Sequence, residues 1–302
     1  MPEQIREVVT LAGAERVRAI VKMGTGKLTV SGGAEALLEG MFDCPAPGWK
    51  PEVSYAVEDG VGELSVVQPK CRDAVPMDAE HTWNLSFSSQ VPLTIALRQG
   101  SGDATIVLDG TRLAALKVAI ASGRLVVNLA EAMDLDRISV KMGSGRMTLA
   151  LDGDLPILAD VDISHASGVS ALMLGGVAPA LENLQISSAS GRVDLRITGV
   201  CAALETLAVR TASGIVDIDL AGRLPESLNS TIGCVSGQAT VRFPSDLGVS
   251  VLYSSLTGSV QAPGFFWDCG RYINAAAHDA GANVLLSMST VSGELVLEPR
   301  TL

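Results

Sequence analysis

Between Leu116 and Phe243 one phrase recurs with small changes: Ile120-Ala121-Ser122-Gly123, Met142-Gly143-Ser144-Gly145, His165-Ala166-Ser167-Gly168, Ser188-Ala189-Ser190-Gly191, Thr211-Ala212-Ser213-Gly214 and Cys234-Val235-Ser236-Gly237. From glycine to glycine the steps are 22, 23, 23, 23 and 23 residues. A fixed period of this length belongs to stacked repeats, and it is too short for a pair of helices. With the glycine of each pair as zero, position −5 holds Val118, Val140, Ile163, Ile186, Val209 and Ile232, and −7 holds Leu116, Ile138, Val161, Leu184 and Leu207. After the turn, +4 holds Val127, Leu149, Leu172, Leu195, Ile218 and Val241. Charged and hydroxyl residues alternate with these apolar ones, so each arm reads as a half-buried strand.

A single repeat of this kind leaves its apolar face wet until the next one stacks on it. The expected architecture is all-β: a single-stranded β-solenoid with coils of about 21–23 residues and two strands per coil. The serine-glycine pairs Ser122-Gly123, Ser144-Gly145, Ser167-Gly168, Ser190-Gly191, Ser213-Gly214 and Ser236-Gly237 are its structural turns. Glycine supplies the unusual backbone conformation, and the serine is placed to bond the neighbouring coil. The Ala or Gly usual at −2 suggests an inward corner with little room, which Ala189→Leu or Ala212→Leu would overpack.

Outward from the array the rhythm weakens. Residues 1–16 carry Ile5, Val8, Val9 and Ala12 at helical spacing, predicting a short amphipathic helix. Val17, Ala19 and Val21 then alternate into Gly24-Thr25-Gly26, followed by Leu28 and Val30, an upstream copy of the repeat layout. Residues 36–82 interrupt the period with the Pro/Gly-rich loop around Cys44 to Pro51 and a hairpin, Val53–Val57 with Glu63–Val67. Pro69 to Thr82 reads as a polar connection, Trp83–Phe87 as a strand, and Leu93–Leu97 leads into Gly100-Ser101-Gly102. The period fails again at 263–283, where Phe265-Phe266-Trp267 predicts a long hairpin capping the apolar end of the stack, and it returns at Val291-Ser292-Gly293. The expected organisation is one continuous unit, with an amino-terminal β segment and first coils over 1–110 and the array with its hairpin cap over 111–302.

Composition narrows the function. A formal charge of −11 opposes binding to a phosphate backbone, so nucleic acid is not an expected partner. Aromatics are only 4% of the chain, so the core must come from aliphatic side chains. Charged residues interrupt the amino-terminal segment, and no run reaches the roughly 18 apolar residues of a membrane span, which predicts a cytoplasmic protein, peripheral to a membrane only through a partner. Cys44, Cys71, Cys201, Cys234 and Cys269 show no metal-ligand spacing; reduced thiols are expected, with a Cys44–Cys71 bridge left open.

The order Val17 to Val30, Ala34 to Gly40, Pro51-Glu52-Val53, Trp83-Asn84-Leu85 and Val91-Pro92-Leu93 resembles the amino-terminal part of the toast-rack domain. That domain occurs in cell-wall-active-antibiotic response proteins of the LiaF type and in related adhesin-like β-solenoids, and the similarity covers most of the chain. The resemblance implies a β-solenoid and a link to bacterial envelope stress sensing or assembly. LiaF-type proteins usually carry membrane helices ahead of this domain, and no such run occurs here.

The residues offer no catalytic constellation. Gly24-Thr25-Gly26-Lys27 lacks the earlier glycine and following hydroxyl of a phosphate loop, having Val21 and Leu28 there. His81, His165 and His278 have no metal-ligand spacing, and Asp152-Gly153-Asp154 lacks the rest of a calcium loop. Asp194, Asp217 and Asp219 could pair as glycosidase carboxylates, but Arg192, Arg196, Arg210 and Arg242 beside them favour cross-coil charge pairs. The expectation is a non-enzymatic scaffold or regulatory interaction protein without cofactor or metal. The expected partner is a protein, with a membrane-associated stress-response component as the candidate. The alternatives are a carbohydrate- or surface-binding adhesin-like module and a homo-oligomer joined through solenoid ends or walls. The candidate interaction residues are Trp49, Phe265, Phe266, Trp267 and Tyr272, because specific binding should lie where the period fails.

Overall fold

The two arms of each repeat are one uninterrupted strand. In the computed structural model, which describes residues 3–69 and 81–301, the chain runs through every Ser-Gly corner without leaving the ladder. Backbone contacts divide it into two units, Met1–Met147 and Thr148–Leu302. The described residues are all-β apart from one short helix and one 3-10 turn.

In the first unit β1 (Glu3–Val9), β2 (Arg16–Ala34), β3 (Leu38–Cys44), β4 (Glu52–Glu58), β5 (Val61–Val67), β6 (Thr82–Ser88), β7 (Leu93–Val107) and β8 (Leu113–Glu131) lead into β9 (Arg137–Asp154), which carries the chain into the second unit. β2 is an inner coil. On one side it pairs in parallel with β7, Gly26 beside Gly102, and β7 continues to β8, Gly102 beside Gly123. On its other side β5 covers its first arm and β6 its second, so two separate strands make the outer coil. β4 folds antiparallel onto β5 through the turn Asp59-Gly60, the hairpin expected there. β3 lies antiparallel on β6, and β1 on β3.

Residues 1–16 therefore do not form the expected helix. Cross-strand pairing decides this: Gln4 bonds Asp43 at 2.9 Å, Arg6 meets Glu39 at 3.4 Å, and the full length of β1 has a ladder partner in β3. A seven-residue helix could not offset its nucleation cost with so little apolar surface to bury. The expected polar connection at 69–82 and the Cys44–Cys71 bridge fall largely on residues 70–80, outside the described residues.

In the second unit β10 (Asp160–Leu174), β11 (Asn183–Ile197), β12 (Thr206–Leu220) and β13 (Leu228–Pro244) stack in parallel and in register, with Gly191, Gly214 and Gly237 side by side. The chain then departs from simple order. β14 (Val249–Ser255), β15 (Ser259–Gln261), the hairpin of β16 (Phe265–Asp268) and β17 (Arg271–Asn274), and helix α1 (Ala275–Ala280) precede β18 (Val284–Arg300). β18 inserts between β13 and the split coil of β14 and β15. Each unit thus has a long two-armed strand lying under an outer coil made of two short ones.

The corner resolves a conflict of parity. In all nine long coils the buried positions are −7, −5 and −3 on the first arm and +2 and +4 on the second. Residues −3 and +2 are an odd number apart, so plain alternation would send the second arm's apolar side chains outward. In eight of the nine coils, all but β18, the glycine takes φ between 113° and 132°, at Gly26, Gly102, Gly123, Gly145, Gly168, Gly191, Gly214 and Gly237, turning the chain so that both arms face one interior. Only glycine reaches this region readily. Ser190 and Ser236 Oγ donate at 3.5 Å to Ala166 and Ala212 carbonyls on the preceding coil, as the serine was expected to.

The −2 column is not the inward corner. Ala189 and Ala212 are exposed, and the inward residue is −3: Met23, Gln99, Ile120, Met142, His165, Ser188, Thr211, Cys234 and Thr290. The inward residue varies because the space beside the kink is shared with neighbours of different size, whereas −2 lies over the outer wall.

A third, short wall follows β9, β10, β11 and β12. Single β-bridges join Asp154 to Val177, Val177 to Val200 and Val200 to Arg223. Gly153, Gly176, Gly199 and Gly222 line the turn into it, and a Cβ on Gly176 or Gly199 would stand 2.0 or 1.9 Å from the carbonyl oxygen of Gly153 or Gly176. Leu158, Leu181 and Leu204 fill the space behind, fully buried.

Candidate functional site

Among the described residues one histidine–serine pair lies at the base of a groove, largely covered. His165 Nε2 and Ser188 Oγ are 3.1 Å apart on neighbouring coils, and both residues are buried. Ser188 Oγ also donates to Ser190 O at 3.2 Å, which assigns the histidine as donor to the serine. Its Nδ1 has no partner, so no carboxylate orients the ring, and a donating Nε2 cannot take the serine proton. Burial lowers the pKa of His165 and keeps it neutral. His81 is also held neutral by burial: its Nδ1 contacts Thr25 O at 2.8 Å and its Nε2 accepts from Trp83 Nε1 at 2.9 Å. Burial pushes the Cys201 thiol up to about 11, an inert state. Among the described residues no group of three or more His, Cys, Asp or Glu could hold a metal ion.

Gly24-Thr25-Gly26-Lys27 sits inside β2, in ladder register with Gln99 to Asp103, and no helix follows it. The carboxylates are paired with arginines. Arg192 meets Asp194 at 2.6 Å and Asp217 at 3.3 Å, and Arg242 joins Asp217 to Glu298, the latter at 2.7 Å. Arg300 meets Asp219 at 3.1 Å. Arg192–Asp217, Arg242–Asp217, Arg242–Glu298 and Arg300–Asp219 are cross-coil charge pairs of the kind expected, whereas Arg192–Asp194 lies within one coil.

Two surfaces remain open. One is a groove of about 620 Å³ over the first arms of β11, β12, β13 and β18. Its apolar lining is the −2 row, Ala189, Ala212, Val235 and Val291, and its polar lining includes Ser187, Thr231, Ser289 and Arg210. Among the described residues Arg210 makes no ion pair, and its stem passes 3.7 Å from the place where Gly233 would carry a Cβ. The arrangement presents methyl groups, hydroxyls and one guanidinium along a wall, and the buried His165, Ser188 and Cys234 form part of the same lining.

The other surface is the hairpin of β16 and β17, turned by Cys269 and Gly270 at positive φ. It holds four of the five predicted interaction residues. Phe265 is the anchor, edge-on to the buried Phe243 at 5.7 Å. Trp267 is 59% exposed and lies against Tyr272 at 4.8 Å, while Phe266 is 42% exposed beside His278. The hairpin meets the stack through Phe265 and through the pairing of β17 with β14, and it leaves Phe266 and Trp267 exposed. Trp49, the fifth residue, belongs to the first unit, where it is only 8% exposed and packs edge-on to His81 at 5.0 Å.

Asn274 positions the hairpin and was not singled out from the sequence. Buried at the end of β17, it accepts from Val249 N–H and Ala277 N–H through Oδ1 and donates to Leu247 O at 2.7 Å through Nδ2. It caps α1 and holds β14 at once. The Asn before an alanine run is the sequence signal for such a cap. The glycine column at 153, 176, 199 and 222 was also legible, at the same 23-residue period as the corner glycines.

Residues 2–150 match the family model described as the N-terminal domain of toast_rack, DUF2154. No curated protein matches the chain. Similar solved structures include a candidate cell adhesion protein from Clostridium sporogenes, 20% identical over 99% of this chain and 100% of that one, with a TM-score of 0.34. A candidate adhesin from Bacteroides fragilis is 11% identical over 99% and 97%, with a TM-score of 0.41. A candidate lipid binding protein from Parabacteroides distasonis is 11% identical over 98% and 96%, with a TM-score of 0.43. Similarity at this level attests to no shared site. Among the described residues no helix is long and apolar enough to cross a membrane.

Proposed function

The amino-terminal half of this chain is a toast-rack N-terminal domain, and from that premise we propose that the protein is a non-enzymatic interaction scaffold of the bacterial envelope-stress or envelope-assembly kind. It acts in the cytoplasm and recognises a membrane-associated protein partner through the hairpin of β16 and β17. The observation that carries the reading is the division of labour among the hairpin rings: Phe265 is anchored on Phe243 while Phe266 and Trp267 face solvent. Exposed Trp and Phe on an anchored support are the residue types that dominate protein interfaces, because each buries a large area at small conformational cost.

Affinity purification from native cells, with and without envelope stress, tests it using wild type and the double variant Phe266→Ser/Trp267→Ser. Loss of a stress-dependent partner from the variant, with an unchanged far-UV spectrum, is expected. Recovery of the same partners by both proteins, or hydrolysis of cell-wall glycans by the pure protein, would overturn the reading.

The groove favours a second reading, a carbohydrate- or surface-binding adhesin-like module, because Arg210, Thr231 and Ser289 line it without a carboxylate to neutralise the arginine. Glycan-array binding abolished by Arg210→Ala would select this reading over the first.

A further inference from the structure

The outer edge of the second unit is covered along only part of its length. β18 pairs with the inner side of β14 from Val249 to Ser255, but β17 pairs with the outer side only at Ser250 and Val251. At the far end the chain turns into its corner, with Thr257 N–H donating to Val291 O at 2.9 Å. The outer side of β14 from Leu252 to its end at Ser255 thus has no ladder partner among the described residues, and Leu256 follows it in the bend that enters the corner.

This window lacks the features that keep edges from pairing. Leu252-Tyr253-Ser254-Ser255-Leu256 contains no charge and no proline. Leu252 and Leu256 point outward, 42% and 80% exposed, with exposed Ser254 between them. Tyr253 points the other way, its hydroxyl donating to Ser259 O across the corner at 3.2 Å.

We propose that this edge pairs antiparallel with the same edge of a second copy, about a two-fold axis at Ser254. The window is self-complementary about that residue. In an antiparallel pair centred there, Leu252 of each copy faces Leu256 of the other, and the small serines meet at the axis. Directly opposed Cβ atoms lie roughly 5 Å apart, close enough for both leucine pairs to exclude water. A two-fold contact of this type closes after two copies and leaves no free edge to propagate. Each chain carries a formal charge of −11, which opposes association at low ionic strength, but the window itself adds no like-charge pair. The contact therefore tightens as salt is raised.

The test uses full-length protein carrying Cys71→Ser and Cys269→Ser. In that background Ser254→Cys places two thiols across the axis. Ser287→Cys, exposed one strand further in, is the control. Without reductant, Ser254→Cys should form a covalent dimer roughly tenfold faster than the control, as expected of groups held together rather than meeting by diffusion. Light scattering over a concentration series should show a wild-type dimer that Leu256→Lys converts to monomer and Leu256→Met retains.

A wild-type monomer at every concentration overturns the proposal, as does a dimer in which Ser254→Cys links no faster than Ser287→Cys. Capture of a foreign extended peptide on this edge in place of dimerisation also counts against it. The contact does not rest on the partner reading above: partner capture by a strict monomer would remove this inference alone.

Discussion

The carbonyl oxygen of Gly168 stands 2.0 Å from the point where a Cβ would sit on Gly191. The same approach recurs between Gly191 and Gly214 and between Gly214 and Gly237, each at 2.0 Å. At each corner glycine is therefore required twice, for its backbone angle and for the absent side chain. Gly214→Ala should cost on the order of 3 kcal/mol, adding strain at φ 132° to overlap with a backbone atom that cannot swing away. Urea unfolding of the variant against wild type measures this, and a midpoint within error of wild type would contradict the corner geometry.

Ala212→Leu separates the two accounts of the −2 column. Ala212 faces outward, so the larger side chain should change stability by no more than about 0.5 kcal/mol. Thr211→Leu, one residue earlier and only 5% exposed, should cost about 2 kcal/mol through overpacking and loss of the Thr211 bond to Ser213 O. Thermal melts of the two variants should differ in that order.

Acid should weaken the fold before its carboxylates titrate. Burial depresses the folded-state pKa of both His81 and His165 below their unfolded value of 6.5. Between the two values the unfolded chain binds more protons, so stability rises with pH through this window and is lost as pH falls through about 6.5. His165→Met, which copies the residue at the equivalent position of Met142, should reduce the change in urea midpoint between about pH 7.5 and 5.5. An identical pH slope in wild type and variant would count against a buried neutral His165.

Arg242 joins three strands through Asp217 on β12 and Glu298 on β18. Its side chain is largely covered while Glu298 is more open, so a double-mutant cycle on Arg242 and Glu298 should give a coupling of about 0.5–1 kcal/mol that shrinks in high salt. A coupling unaffected by salt would contradict a solvent-screened pair.

Asn274→Ala should loosen the hairpin without unfolding the stack. It removes three hydrogen bonds from a buried site and leaves Val249 N–H and Leu247 O without their partner. The expected cost is about 2–3 kcal/mol. Amide exchange should rise in β16, β17 and α1, while the amides of β11 and β12 stay protected.

The Ser-Gly period and the alternating apolar columns were sufficient to name an all-β, single-stranded solenoid, because each repeat carries the same local instruction: extended arm, glycine corner, extended arm. The candidate hairpin at 265–272 was legible for a related reason, since a cluster of rings in a chain poor in aromatics stands out. The amino-terminal strand was not legible. Ile5, Val8 and Val9 satisfy a helical stripe as well as a strand, and only the ladder offered by β3 decides between them. The inward −3 column was hidden by its variety, which no hydropathy pattern reports. The burial of Trp49 depends on His81, distant in sequence.

Sequence alone determined what each coil is. Tertiary structure decided which coil lies beside which: β2 lies between β7 and the pair β5 and β6, and β18 between β13 and the pair β14 and β15. Repeats with the same inward pattern and the same register can stack on one another in any order, so the pattern is degenerate in neighbours. The degeneracy is lifted by where the loops let the chain return and by edges such as Leu252 to Ser255, which exist only once the coils have stacked.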